Sequence, residues 1–181
     1  MRATFKAYVG LGSNLGDRAG NLLLAVRGLL GANLRVARLS SVYETEPVGV
    51  PRAQPLFLNM VAELAFDIDG DTIYTNDEAA ALPSPEQLLA RLLRIEYALG
   101  RRRAQTLAPR TIDLDLLLYG DAQSDTEFLT LPHPRLHLRR FVLVPLCELA
   151  PTKLHPALGQ TFEQLLADTP DTGSVRLWRA S

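Results

Sequence analysis

The sequence is poor in the residues that most often betray a function. Of 181 residues one is cysteine, Cys147, one is tryptophan, two are methionine and three are histidine. A lone thiol forms no intramolecular disulfide and no cysteine-based metal cluster. Flanked by Val144, Leu146 and Leu149, it reads as a small buried hydrophobe. No stretch approaches the roughly 20 apolar residues that span a bilayer, and the opening MRATFK lacks the apolar core of a secretion signal. A cytoplasmic protein without membrane contact is therefore expected. Charge of neither sign is in surplus: 19 basic residues against 20 acidic leave a net −1, which offers no bulk field for nucleic acid. The last shortage is lysine. Only Lys6 and Lys153 occur, so nearly every cation is an arginine, whose planar fork suits phosphate and carboxylate. Codon bias alone would give the same excess, so the information lies in where the arginines stand.

What is present suffices for a sizeable core, with 47% of residues apolar. One domain over 1–181 is expected. Phe5, Ala7, Val9 and Leu11 alternate as in a strand, ending in a turn-rich GLGSNLGD string from Gly10. Leu22, Val26, Leu29 and Leu30 follow at helical spacing. Strands are expected near 38–44 and 58–66, the latter with Asn59, Val61 and Glu63 on one face. Residues 67–83 carry Asp67, Asp69, Asp71, Asp77 and Glu78 among Gly and Asn, and read as a solvated surface insertion. Ser84-Pro85-Glu86-Gln87 is a helix start with cap, first-position proline and capping box. Leu88, Leu92, Ile95 and Leu99 supply its stripe and Gly100 its stop. A strand over 111–119 and short elements at 128–131 and 140–150 complete an α+β sandwich with a mainly antiparallel sheet.

The chemistry concentrates at Thr111-Ile112-Asp113-Leu114-Asp115-Leu116. Residues two apart in a strand share a face, so Asp113 and Asp115 lie side by side at roughly 7 Å, opposite a core-facing Ile112, Leu114 and Leu116. Such a pair repels itself unless a cation lies between, and it suits magnesium held against substrate phosphates. Alone the motif is equally a solvated strand face. Arginines shift the balance: Arg101, Arg102, Arg103 and Arg110 precede it, and His133, Arg135, Arg139 and Arg140 follow. Acids for a metal beside forks for phosphate make a polyphosphate site. The glycine string is a poor dinucleotide or P-loop fingerprint, lacking a Walker lysine, and is expected to serve close backbone approach. Phe57 and Asn59 share a strand face after the proline-stiffened loop 45–55, an aromatic ring and a carboxamide fit for a flat heterocycle.

Together these segments resemble the hydroxymethyldihydropterin pyrophosphokinase family: residues 7–16 (AYVGLGSNLG), 40–49 (SSVYETEPVG), Phe57-Leu58-Asn59, 108–118 (APRTIDLDLLL), Leu131-Pro132-His133-Pro134 and 139–151, in the family's order. The resemblance implies a ferredoxin-like αβα sandwich and a reaction with ATP as co-substrate and two Mg2+ ions. In it the pterin hydroxymethyl oxygen attacks the β-phosphorus and AMP leaves. It implies Asp113 and Asp115 as metal ligands, and Arg101, Arg103, Arg110, Asp113 and Asp115 as catalytic. ATP contacts fall to Arg101, Arg103, Arg110, Leu116, His133 and Arg139. Pterin contacts fall to Thr45, Val48, Phe57, Asn59, Asp113 and Phe141, the two phenylalanines sandwiching the ring. Glu96 matches a position that supports the arginine loop. A monomer taking only small molecules is implied. Three departures stand out: Leu107 near where relatives carry a lid tryptophan, Phe57 in place of a tyrosine, and the 67–83 insertion. An RNA-binding module of the same fold fits less well, since unmetalled acids beside the arginines would repel a phosphate backbone. A nucleotide hydrolase using the same acids would break ATP without a pterin.

Overall fold

Strict alternation makes the central strand, β1 (Ala3–Ser13): Phe5, Ala7, Val9 and Leu11 face one side, Lys6, Tyr8, Gly10 and Gly12 the other. It runs on to Ser13 instead of giving way to loop at Gly10, because residues 10–12 find strand partners on both sides. The chain continues through α1 (Arg18–Gly31), β2 (Val36–Leu39), β3 (Tyr43–Thr45), β4 (Phe57–Ile68), α2 (Pro85–Ala98) and β5 (Asp113–Tyr119). A small hairpin of β6 (Ser124–Asp125) and β7 (Thr130–Leu131), a 3-10 turn (Leu136–Leu138), α3 (Arg140–Leu149), α4 (Phe162–Asp168) and β8 (Val175–Leu177) complete it. The structure is a computed structural model and describes residues 3–49, 54–68, 82–101 and 108–180. Arg102, Arg103, Leu107 and most of the expected 67–83 insertion lie outside the described residues, although Asp67 and Ile68 still belong to β4.

The main sheet runs β5-β1-β4-β3-β8, with β2 also on β4, and every pairing is antiparallel. It follows that β1 and β2 run the same way with β4 between them and α1 crossing over. Likewise β4 and β5 flank β1, with α2 as the crossover. Two interlocked split β-α-β units place both helices on one face, which is the ferredoxin-like arrangement. Leu22, Ala25 and Leu29 of α1 and Leu88, Leu92 and Ile95 of α2 pack there on Val9, Leu11, Leu58, Met60, Leu114 and Leu116. The helices touch at Gly28, where a Cβ would stand 2.7 Å from Ile95 Cγ2. The expected α1 stripe is corrected in one member: Leu30 is exposed, and Ala25 takes its place inside.

The expected second strand is two short ones. Ser40 divides them, its hydroxyl accepting the Val61 N–H and its own N–H donating to Val61 O, both at 2.9 Å. The start of α2 is as the residues suggest, a capping box between Ser84 and Gln87 with Pro85 in the first turn, and Gly100 ends it at φ +81°. On the opposite face of the sheet Tyr8, Val61, Leu117 and Leu118 meet Leu143 and Leu146 of α3 and Phe162 and Leu165 of α4. A bulge in β5 opposite Tyr8 and Val9 lets both Leu117 and Leu118 join that cluster, while Asp113 and Asp115 keep their register with Gly12 and Gly10. Toward Gly10 and Gly12 this face carries no side chain of β1, and a cavity opens there. Among the described residues no helix is long and apolar enough to cross a membrane.

Candidate active site

Two glycines form the floor. Gly12 pairs with Asp113 on one side and Asn59 on the other; Gly10 pairs with Asp115 and Val61. The acids of β5 and the carboxamide of β4 therefore face each other across a strip of bare backbone. A Cβ on Gly12 would meet Asn59 Oδ1 at 2.6 Å. Asn59, 8% exposed, donates from Nδ2 to Thr45 Oγ1 at 2.7 Å, which fixes its orientation from the buried end of β3. Phe57 and Phe141 line the same cavity as Thr45, Val48, Asn59, Arg110, Asp113, Asp115 and Arg139. Each ring is faced by a guanidinium: Arg110 Cζ is 5.4 Å from the Phe57 centroid and Arg139 Cζ 5.5 Å from that of Phe141. Arg139 and Phe141 arrive on the first turn of α3. That turn has no side-chain cap of its own, but the Arg140 N–H donates to the Asp171 carboxylate at 2.8 Å.

Charge is arranged around the two acids. Arg101 bonds both Asp113 and Glu96, and Arg110 Nη1 lies 3.1 Å from Asp113 Oδ2. Glu96, 1% exposed in the last turn of α2, also accepts the Leu114 N–H at 2.7 Å, so one buried carboxylate ties the arginine to the start of β5. Asp115 is pushed up to about 7, first by burial and then by Asp113, with Arg139 pulling the other way. Two half-buried carboxylates in conflict are relieved by a cation between them. Among the described residues no third histidine, cysteine or acid joins them as a metal cluster. That donor set suits a hard cation drawing its remaining oxygens from phosphate and water, not one enclosed by protein.

A second cleft adjoins the first and shares Asp115 with it. Leu89, Leu93, Leu114, Leu116, Phe128, Leu129, Thr130, His133 and Pro134 are its other walls. Leu116 and His133 fall in this cleft; Arg101 reaches the first cavity through Asp113; Arg103 lies outside the described residues. The His133 N–H donates to Leu117 O at 2.9 Å, and its Nδ1 accepts the Arg135 N–H at 3.3 Å, so the neutral ring carries its proton on Nε2. Burial, then Arg139 and Arg135, lower its pKa to about 4. Sequence reasoning missed Leu89, Leu93, Phe128 and Thr130. It expected the glycine string as a tight turn with close backbone approach; Gly10 and Gly12 instead continue β1, and the close approach is to the strands on both sides.

Comparison with known proteins identifies the family and the fold. The description 7,8-dihydro-6-hydroxymethylpterin-pyrophosphokinase (HPPK) matches residues 8–151. A 2-amino-4-hydroxy-6-hydroxymethyldihydropteridine pyrophosphokinase of Synechocystis is 41% identical over 161 residues, covering 88% of this chain and 74% of the relative. Those of Bacillus subtilis and Methylorubrum extorquens are 37% and 40% identical, covering 96% and 95% of this chain and 90% and 98% of theirs. The fold is matched by the wild-type Plasmodium falciparum HPPK-DHPS solved with pterin and p-hydroxybenzoate. Its TM-score is 0.64 at 16% identity, over 92% of this chain; this chain spans less than half, 43%, of that longer one. The chain belongs to the 7,8-dihydro-6-hydroxymethylpterin-pyrophosphokinase family.

Proposed function

We propose that this chain, as a single domain over 1–181, transfers the pyrophosphoryl group of ATP to the hydroxymethyl oxygen of 6-hydroxymethyl-7,8-dihydropterin. The products are the pterin diphosphate and AMP, on the path to folate. The observation that carries the reading is the meeting of two cavities at Asp115: an aromatic and carboxamide slot lined by Asp113 and Asp115, and an apolar cleft that shares Asp115 with it. In the slot Phe57 and Phe141 offer the two faces that stack a pterin, while Asn59 and backbone groups near Thr45 and Val48 read its edge. In the cleft Leu116 and its neighbours take the base of the nucleotide, with the neutral His133 donating from Nε2 toward phosphate. Arg101, Arg110 and Arg139 offer forks to the phosphate oxygens between the two, and Arg103 is assigned to phosphate by the family resemblance alone.

Magnesium fits the acid pair, and Asp113 and Asp115 would hold it; when bound it would neutralise phosphate charge and make the attacking alcohol more acidic. The protein's part is alignment and charge neutralisation, which suffices for phosphoryl-type transfer. Glu96 keeps Arg101 on Asp113, and the Gly10 and Gly12 floor lets both substrates approach the backbone closely. The reading takes the protein as a cytoplasmic monomer acting on small molecules. The test is direct: combine protein, ATP, Mg2+ and the reduced pterin alcohol, and follow nucleotides by chromatography. AMP should form only with both pterin and metal present. ADP and phosphate released without pterin would point to a hydrolase.

A further inference from the structure

Asn14 follows the glycine floor in the GLGSNLG string, and the transfer reaction as described gives it no part. It is 1% exposed. Its backbone N–H donates to Arg110 O at 3.2 Å, and its Oδ1 accepts the Arg110 N–H at 2.8 Å. From the other end of the carboxamide, Nδ2 donates to Gln54 Oε1 at 3.2 Å and to Pro55 O at 3.4 Å. The side chain thus grips two separate walls of the site. Arg110 faces Asp113 and the phosphate region, whereas Pro55 leads within two residues to Phe57, the ring wall. The two walls also meet above, where the Arg110 guanidinium lies over the Phe57 ring. The turn holding Asn14 is itself pinned, since Asn21 Nδ2 donates to Ser13 Oγ at 3.2 Å and Leu15 O at 2.9 Å.

We infer that Asn14 is a positioning residue that couples the two substrate subsites. A buried carboxamide has an acceptor end and a donor end, and neither can shift without strain on the other. When phosphates engage Arg110, the displacement of its backbone is passed through Asn14 to residues 54–57, and a ring seated on Phe57 is felt at Arg110. Linkage makes the effect reciprocal. The inference rests on the assignment of the two subsites proposed above.

The experiment measures the affinity of the protein for the pterin alcohol with and without a saturating, non-transferable nucleotide, α,β-methylene ATP with Mg2+. Wild type should bind pterin at least about fivefold more tightly with the nucleotide present, the lower end of common coupling strengths. Asn14→Asp keeps the acceptor for the Arg110 N–H but cannot donate to Pro55 O. Its ratio should fall to within about twofold of unity. Asn14→Ser, which reaches neither wall, should behave alike and serves if the added carboxylate impairs folding; thermal melts identify the folded variants. Arg18→Ala is the contrast: Arg18 Nη1 donates to Leu56 O and pairs with Glu44 Oε1, both at 2.9 Å, a hold on the ring wall and β3 that does not reach Arg110. It should weaken pterin binding equally in both conditions and leave the ratio intact. A wild-type ratio preserved in folded Asn14 variants, or absent from wild type itself, overturns the inference. Failure of wild type to bind pterin under either condition overturns the subsite assignment on which it stands.

Discussion

At Gly12 a missing side chain does two things at once. It lets Asn59 lie flat beside β1, and it leaves the floor bare between the carboxamide and Asp113. Gly12→Ala puts a methyl 2.6 Å from Asn59 Oδ1, so the bond from Asn59 to Thr45 must give way. The variant should fold, since the position is ordinary strand backbone, and should raise the KM for pterin by about tenfold or more, a misplacement of about 1.4 kcal/mol. The KM for ATP should hold, and steady-state kinetics with each substrate varied in turn separates the two; a rise confined to ATP would contradict the floor. Asp115→Asn tests the other side of the same strip. An amide cannot replace a carboxylate on a hard cation, so kcat should drop by about 10² or more, the scale of one lost electrostatic contact to the transition state. The melting temperature should not fall, because a neutral isostere ends the conflict between Asp113 and Asp115. Wild-type rates in this variant would end the metal assignment.

Among the elements, the turn that launches α4 carries its own pH sensitivity. His155, 4% exposed, accepts the N–H groups of Ala157 and Leu158 on Nδ1, both at 3.3 Å, and sets its ring edge against Phe162 and His137. Burial first, and His137 second, hold its pKa below the ordinary histidine value. A depressed histidine binds fewer protons folded than unfolded, so its contribution is complete above the unfolded pKa, about 6.5, and is lost as pH falls below it. His155→Asn keeps an acceptor where Nδ1 was and removes the titration. Melting curves at pH 7.5 and pH 5 should therefore differ less for the variant than for wild type; equal differences would refute the assignment. Such a turn was beyond sequence reasoning, whereas α2 and β5 were legible from their residues. Ser84, Pro85, Gln87 and Gly100 act on the backbone within a few residues of themselves, and the alternation of Asp113, Leu114, Asp115 and Leu116 needs no distant partner. The division of β2 from β3, the bulge at Leu117, and the parts played by Asn14 and Gly12 depend on partners tens of residues away. Charge and periodicity along the chain do not specify those. The acids and arginines were visible because their chemistry is unusual at any position; the cleft of Leu89, Leu93 and Thr130 was not, because its residues are ordinary.

For the molecule as a whole, the question is how a site split between the sheet and α3 stays in register. The answer lies at the end of α3 remote from Arg139 and Phe141. Glu63 of β4, 2% exposed, accepts Tyr8 OH at 3.0 Å and faces Lys6 Nζ at 3.2 Å and Arg38 Nη2 at 2.5 Å. The same Arg38 nitrogen donates to Leu149 O, the last carbonyl of α3, at 2.6 Å. One residue earlier Glu148 accepts the Ser41 N–H and hydroxyl and the Tyr43 hydroxyl at 2.9–3.0 Å. Three strands and a helix are thus tied at a single buried carboxylate. Burial works to raise the Glu63 pKa, but the bonds from Arg38, Lys6 and Tyr8 outweigh it and hold the group below its ordinary value. The tie is therefore complete above the unfolded carboxylate pKa and weakens as pH drops through the folded one. Glu63→Ala leaves two cations and a phenol without their acceptor. The cost should be about 2–4 kcal/mol in urea unfolding, below the upper range for buried pairs because Lys6 and Arg38 are half-exposed. Folded protein at low temperature should keep its kcat within about threefold, a barrier change under about 0.7 kcal/mol, because Glu63 lines neither substrate cavity. If the variant unfolds at the wild-type urea midpoint, the carboxylate does not hold α3. If it is stable yet inactive, the tie acts on the chemistry and not on the assembly of its two halves.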